Sequence, residues 1–181
     1  MQTYQLHVQD RNYTKWSIYD LSNNSIIENR EQCNPLTNKL FHDDIIEIND
    51  NCITKLSGLD NTTTIPGVLI LEGNKTFGRT PNKKRLYYRC IPDNKNYPAF
   101  LVPYDIKIGF SKHQQNKYIL FKYDNWNGKH PFGELTEVLG DVDNLEVFYE
   151  YQLYCKDLHR SIKKLTNQTT TSIKNVPIIE N

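Results

Sequence analysis

Up to about residue 140 the apolar residues never recur at the helical spacing of three and four. They come in short runs cut by turn residues, which restricts the chain to small β-sheets. Thr3–Val8 reads as a first strand, Trp16, Ile18 and Leu21 mark a second, and Ser25–Glu28 suggests a third. Asn34-Pro35 interrupts the pattern. In Leu40–Ile48 the chain turns at His42-Asp43-Asp44 and then alternates through Ile46 and Ile48. Four or five short strands in about 50 residues are a small β-barrel's worth.

Ser57–Thr64, with Gly58 and three consecutive threonines, reads as a linker or loop. A second unit opens at Pro66-Gly67 with the apolar strand Val68–Leu71. A loop Gly73–Lys84, a strand Leu86–Ile91 and a turn at Pro92-Asp93-Asn94-Lys95 follow, then strands Ala99–Val102 and Tyr118–Tyr123. Asp143 and Glu146 form a capping-box-like start. Leu145, Phe148, Tyr149 and Leu153 beyond it predict one face of a helix, a Tyr-rich strand being the alternative. The Thr-, Asn- and Ile-rich stretch from Thr166 to Asn181 lacks a period and is expected to pack loosely. The expected fold is mainly β: two tandem barrels of the oligonucleotide-binding (OB) type, residues 1–57 and 65–155, a short helix, and a C-terminal extension over 156–181.

Hydrophobic residues make up 38% of the 181, and 12 residues are Tyr. Tyr fills a small core at one end and keeps a polar group at the other. The abundance of Asn and Ile reflects an AT-rich genome, with a large DNA virus as the expected source. Net charge is only +1, so any nucleic-acid site must come from local clustering. The four cysteines form no CxxC pair, which argues against zinc and for free thiols in a reducing compartment. No apolar stretch has the length of a signal peptide or membrane span, so a soluble, cytoplasmic protein is expected.

The clustering sits in Arg79–Lys95. Arg79, Lys83, Lys84, Arg85, Arg89 and Lys95 stand against Asp93 alone, a difference of 6 − 1, or +5. Phe77, Tyr87, Tyr88 and Tyr97 are interleaved. Single-stranded nucleic acid needs this mixture: cations follow the phosphates and flat rings stack on bases. Strand alternation puts Leu86, Tyr88 and Cys90 on one face and Arg85, Tyr87 and Arg89 on the other, which would face RNA. A solvated basic loop without a ligand is the competing explanation. Asp124–Glu150 is acidic against only Lys129 and reads as a solvated face. Gly73-Asn74-Lys75-Thr76 fails as a phosphate loop, because Asn74 and Leu69 stand where glycines are needed. The His42-Asp43-Asp44 sequence suggests a ligand pair less than it suggests a turn.

Lys117–Asp141 (KYILFKYDNWNGKHPFGELTEVLGD) resembles the end of the second cold-shock domain of RNB-family exoribonucleases. An apolar strand Ile119–Tyr123 runs into Asp124 and Trp126, then Pro131 and Gly133, then Leu139-Gly140-Asp141. Pro92 through Pro98 is similar to that domain's P-x-D-x-R-x-P turn, with Asn94 and Asn96 replacing the Asp and the Arg. Ile65–Leu71 is similar to its opening strand, and Leu40–Ile48 to the closing strand of the first cold-shock domain. The resemblance implies tandem barrels that guide single-stranded RNA, with Tyr13 and Trp16 as stacking residues on the first. It implies no catalysis, because the family's run of magnesium-binding aspartates lies in a further domain that this sequence lacks. The candidate RNA contacts are therefore Tyr13, Trp16, Lys75, Phe77, Arg79, Lys83, Lys84, Arg85, Tyr87, Arg89 and Lys95. No catalytic residue, metal or cofactor is expected. The partner is single-stranded RNA, with a separate nuclease as a second partner. A protein–protein module on the same barrels and a piece of a split exoribonuclease are the alternatives.

Overall fold

The computed structural model describes residues 3–28, 33–49, 52–82, 84–106 and 114–159. The first unit is an antiparallel sheet of five strands: β1 (Thr3–Val8), β2 (Trp16–Asp20), β3 (Ile26–Glu28), β4 (Ile45–Asn49) and β5 (Cys52–Ser57), in the order β3-β2-β1-β4-β5. Period-two alternation fixes its register. Tyr4, Leu6 and Val8 point inward from β1 and meet Ile18 on β2 and Ile46 on β4. Asn34-Pro35 is the start of a one-turn helix, α1 (Pro35–Asn38), rather than a simple break. The Asn34 side chain accepts from the Leu36 and Thr37 amides, and Pro35 occupies the first turn, where its missing N–H costs nothing.

The second unit is a closed barrel, ordered β10-β8-β7-β6-β9. Its strands are β6 (Thr64–Ile70), β7 (Leu86–Pro92), β8 (Phe100–Tyr104), β9 (Lys117–Asn125) and β10 (Phe132–Asp141). Three register shifts bend β10, so that it pairs along β9 and still reaches Leu101 of β8 through Phe132. Gly133 is needed there, because a Cβ would lie 2.6 Å from the Phe121 ring.

The stretch between β5 and β6 is ordered by the first unit instead of serving as a slack linker. Asp44 is fully buried and accepts from the amides of Phe41 (2.8 Å) and Leu59 (3.1 Å) and from Lys55 Nζ (2.9 Å). Gly58, at φ +147°, lies so close that a Cβ would overlap the Asp44 carboxylate. Asp60 then accepts from Thr62 and Thr63, which holds its pKa down at about 2.

One hydrophobic core runs through both units. Phe41, from the first, is wholly buried against the second. Its ring stacks on Phe100 at 5.7 Å and meets Tyr123 at 5.0 Å and Trp126 at 4.9 Å. Arg11 adds a polar tie by donating to the Pro92 carbonyl at 2.9 Å. The Pro92–Pro98 turn receives it: Asn94 caps the turn by accepting from the Asn96 amide, and the Asn96 side chain reaches His42.

His42 is nearly buried, and its Nδ1 accepts the Val8 amide at 3.0 Å. Protonation would set an N–H against an N–H. Burial, and His7 beside it, accordingly push its pKa below the usual histidine value. Stability contributed by neutral His42 is complete above the unfolded value of about 6.5 and is lost as pH falls towards the depressed folded value. His42→Asn, which keeps an acceptor near Val8, is expected to flatten the fall in melting temperature between about pH 7.5 and 5. Equal slopes for variant and parent would refute this.

The helix α2 (Leu145–Cys155) is present in place of the alternative Tyr-rich strand, and it starts one residue later than the sequence suggests. Asn144, not Asp143, is the cap, accepting from the Glu146 and Val147 amides. The buried side carries Tyr151, which stacks on Tyr118 at 4.2 Å, with Val147 half-buried. Gly140, at φ +153°, makes this seat possible, because a Cβ would lie 2.7 Å from Val147. Leu145, Phe148, Tyr149 and Leu153 are exposed.

Candidate nucleic-acid interface

Alternation along β7 is as expected. Tyr88, Cys90 and Pro92 are buried, Tyr87 is half-buried and Arg89 is exposed. The run Arg79–Lys95 is nevertheless not one surface. Arg85 precedes the strand and pairs with Asp105 at 3.2 Å. Arg79 and Lys84 line a cavity of about 380 Å³ with Tyr88, Tyr104 and the same Asp105. Tyr87 is covered edge-on by Phe132 at 4.9 Å. Lys95 is exposed at the Pro92–Pro98 turn, and Lys83 lies outside the described residues.

Arg89 instead faces a groove at the junction of the two units. One lobe, of about 450 Å³, is lined by Arg11 and Lys39 from the first unit and by Arg89, Lys129 and His130 from the second. A smaller lobe, of about 260 Å³, shares Arg89, Lys129 and His130 and adds Lys75 and Phe77. Neither lobe has a carboxylate among its lining residues. Five permanent cations and one histidine thus converge without an acid, in a chain whose net charge is only +1.

Local structure explains each position. Lys39 sits in the left-handed region, φ 57°, as the C-cap of α1. Its ammonium donates to the Gly128 carbonyl at 3.0 Å and lies 5.4 Å from the Trp126 ring. Lys129 and His130 occupy the tight connection between β9 and β10. Phe77 is held beside them by amide pairing of the 75–85 loop back onto Tyr87, and its ring meets His130 edge-on at 6.4 Å. Arg11 uses Nη2 for the Pro92 carbonyl, while Nη1 is buried without a protein acceptor. Burial and Arg89 lower the Arg11 pKa, and burial with Lys129 and Arg89 lowers that of His130. Cations pressed together in this way favour an anion between them.

Tyr13 and Trp16 are corrected outright. They are 4% and 7% exposed, core residues that offer no ring to a base. Tyr13 packs edge-on against Trp126 at 6.3 Å. Of the proposed contacts, Lys75, Phe77 and Arg89 come together, whereas Arg79, Lys84 and Arg85 gather about Asp105. Arg11, Lys39, Lys129 and His130 were not among the candidates. The sequence signals for them were the basic pair at Lys129-His130 in an otherwise acidic stretch and, for Arg11, its place at the start of the 11–18 stretch that the resemblance makes the nucleic-acid face of the first barrel.

His7, His42 and Asp43 place ligand atoms within 4.8 Å of one another. The Val8 amide donates to His42 Nδ1, so neutral His42 carries its proton on Nε2, which faces Asp43 at 3.4 Å and the Asn96 side-chain amide, where the amide oxygen and not the nitrogen must accept it. An Nε2–H is a donor, not a ligand, so the cluster works as a hydrogen-bonded turn. No helix among the described residues is long and apolar enough to cross a membrane.

Residues 87–152 match the family model of Dis3-like cold-shock domain 2. No curated protein matches the sequence. Among solved structures, the apo form of RNase R from Mycoplasma genitalium shares the fold with a TM-score of 0.56 at 13% identity. The alignment covers 94% of this chain and 26% of that one, so the chain spans about a quarter of that protein's length.

Proposed function

We propose that this chain, whose residues 87–152 match a Dis3-like cold-shock domain, binds single-stranded RNA without cleaving it. Arg11, Lys39, Lys75, Arg89 and Lys129 take the phosphates, and Phe77 with His130 takes a base. The acid-free groove carries the proposal. Cations track a phosphate backbone, and a ring at their margin accepts a base face of any sequence. Carboxylates that would hold catalytic magnesium do not line it, so the role assigned is guiding RNA, towards a nuclease carried on a separate chain. A magnesium-dependent ribonuclease assay on this chain alone is expected to show no turnover.

Fluorescence anisotropy with a labelled single-stranded RNA tests the binding. Each phosphate contact contributes roughly 0.7 to the slope of log affinity against log salt. The Arg89→Ala, Lys129→Ala double variant should therefore reduce that slope by about 1.4. Phe77→Ala should weaken binding by about 1–3 kcal/mol with the slope unchanged. Replacing Arg79, Lys84 and Arg85 together by Ala should cost little. If this triple variant loses more affinity than the double, the 79–95 run is the site and the junction groove is not.

A further inference from the structure

We propose that the outward face of α2 docks a basic, amphipathic segment of another protein. Leu145, Tyr149 and Leu153 are spaced by four and form one row along the helix. They are 61%, 60% and 44% exposed. Phe148 on α2, Val138 on β10 and Leu158 past the helix end are exposed as well. Surface helices ordinarily turn their apolar stripe to the core. Here Val147, Tyr151 and Gly140 already make the seat, and a second apolar row is left over.

Charge selects the occupant. Glu146 and Glu150 form the row beside Tyr149 and Leu153, and no Lys, Arg or His occurs between Asp141 and Glu150. Neither glutamate has a cationic partner among the described residues. Asp141 and Asp143 nearby are engaged by Lys117 and Gln115, whereas the helix glutamates, and Glu137 beside Val138 on β10, have no ion pair among the described residues. Phosphates are repelled, which excludes RNA and an anionic membrane surface. A second copy of α2 would bring another acidic strip with no cation to meet this one. A partner with apolar residues every fourth position and lysine or arginine in the next row satisfies both features, by the helix-in-groove mode of recognition. This surface is independent of the RNA groove.

Two labelled helical peptides serve as probes for the full chain: one with leucine every fourth residue flanked by lysines, and its twin with glutamates for the lysines. Anisotropy should show saturable binding of the lysine peptide, at least about tenfold tighter than its twin, equivalent to about 1.4 kcal/mol. Tyr149→Ala with Leu153→Ala should weaken it by about tenfold or more, with the thermal melt unchanged because both sites are exposed. Glu146→Gln with Glu150→Gln should remove most of the salt dependence. Arg89→Ala with Lys129→Ala should leave peptide binding untouched, so the RNA proposal and this one fail separately. The proposal is overturned by equal binding of the two peptides, by no binding, or by unchanged affinity in the Tyr149, Leu153 variant. Self-association in sedimentation that this variant abolishes would also overturn it.

Discussion

Replacing Phe41 by alanine is expected to lower the unfolding free energy by about 3–5 kcal/mol, the range for a fully buried aromatic. Phe41 is 0% exposed and lies within 4.9–6.0 Å of the ring centroids of Trp126, Tyr123, Phe100 and Tyr97. The cost depends on whether the site can collapse. Collapse is opposed here, because those four rings belong to the second unit while the Phe41 backbone is tied into the first through Asp44. The void would open at the junction that fixes Arg11 and Lys39 opposite Arg89 and Lys129. RNA affinity should therefore fall even though no groove residue is altered. Urea denaturation measures the first effect and RNA anisotropy the second. A loss below about 1 kcal/mol would mean that the junction relaxes and is not a shared core.

What could be read in the sequence follows from the range of the physics involved. Alternation is local, so Tyr88 and Cys90 inside and Arg89 outside on β7 could be inferred from a few adjacent residues. The Trp126, Pro131, Gly133 constellation was legible through the resemblance to the cold-shock domain, whereas the reason for Gly133, a strand residue with the Phe121 ring where a Cβ would lie, is not local. The basic groove was not, because its cations come from four separate places, Arg11, Lys39, Lys75–Arg89 and Lys129. Lys39 reaches it through a one-residue left-handed cap, and nothing in the neighbouring sequence shows where that lysine points. Tyr13 and Trp16 were misassigned because an aromatic beside a basic residue looks the same whether it stacks on a base or fills a core. Tertiary packing decides it: Tyr13 meets Trp126 across the units, and Trp16 is buried in the core. Which face of α2 is buried is not legible in the helix itself, because its wider apolar stripe, Leu145, Phe148, Tyr149 and Leu153, is the exposed one. The actual seat depends on Gly140, a residue of a different element.

Asp44→Ala should be about as damaging as the loss of Phe41, by about 2–6 kcal/mol, because two buried amide donors lose their acceptor at about 1–3 kcal/mol each. The carboxylate is 0% exposed and serves the Phe41 amide, the Leu59 amide and Lys55 at once. Burial raises its pKa, opposed by Lys55 and by the two amides. Alanine would leave the buried Phe41 and Leu59 amides without this acceptor, each at a cost of about 1–3 kcal/mol, while the partly exposed Lys55 ammonium keeps the Leu59 carbonyl at 3.2 Å. The damage should spread along the chain, because Leu59 sits where the first unit hands over to β6 and Gly58 packs directly on the Asp44 side chain. Asp44→Asn separates the contributions. It fits the space and keeps one oxygen acceptor, but its NH2 group must face a donor. The asparagine variant should therefore lie between alanine and the parent in urea midpoint. If Asp44→Asn proved neutral, the charge on Asp44 would be dispensable and the amide hydrogen bonds alone would hold the hand-over. If Asp44→Ala proved neutral too, neither would matter, and the two units would have to be joined through Phe41 and Arg11 alone.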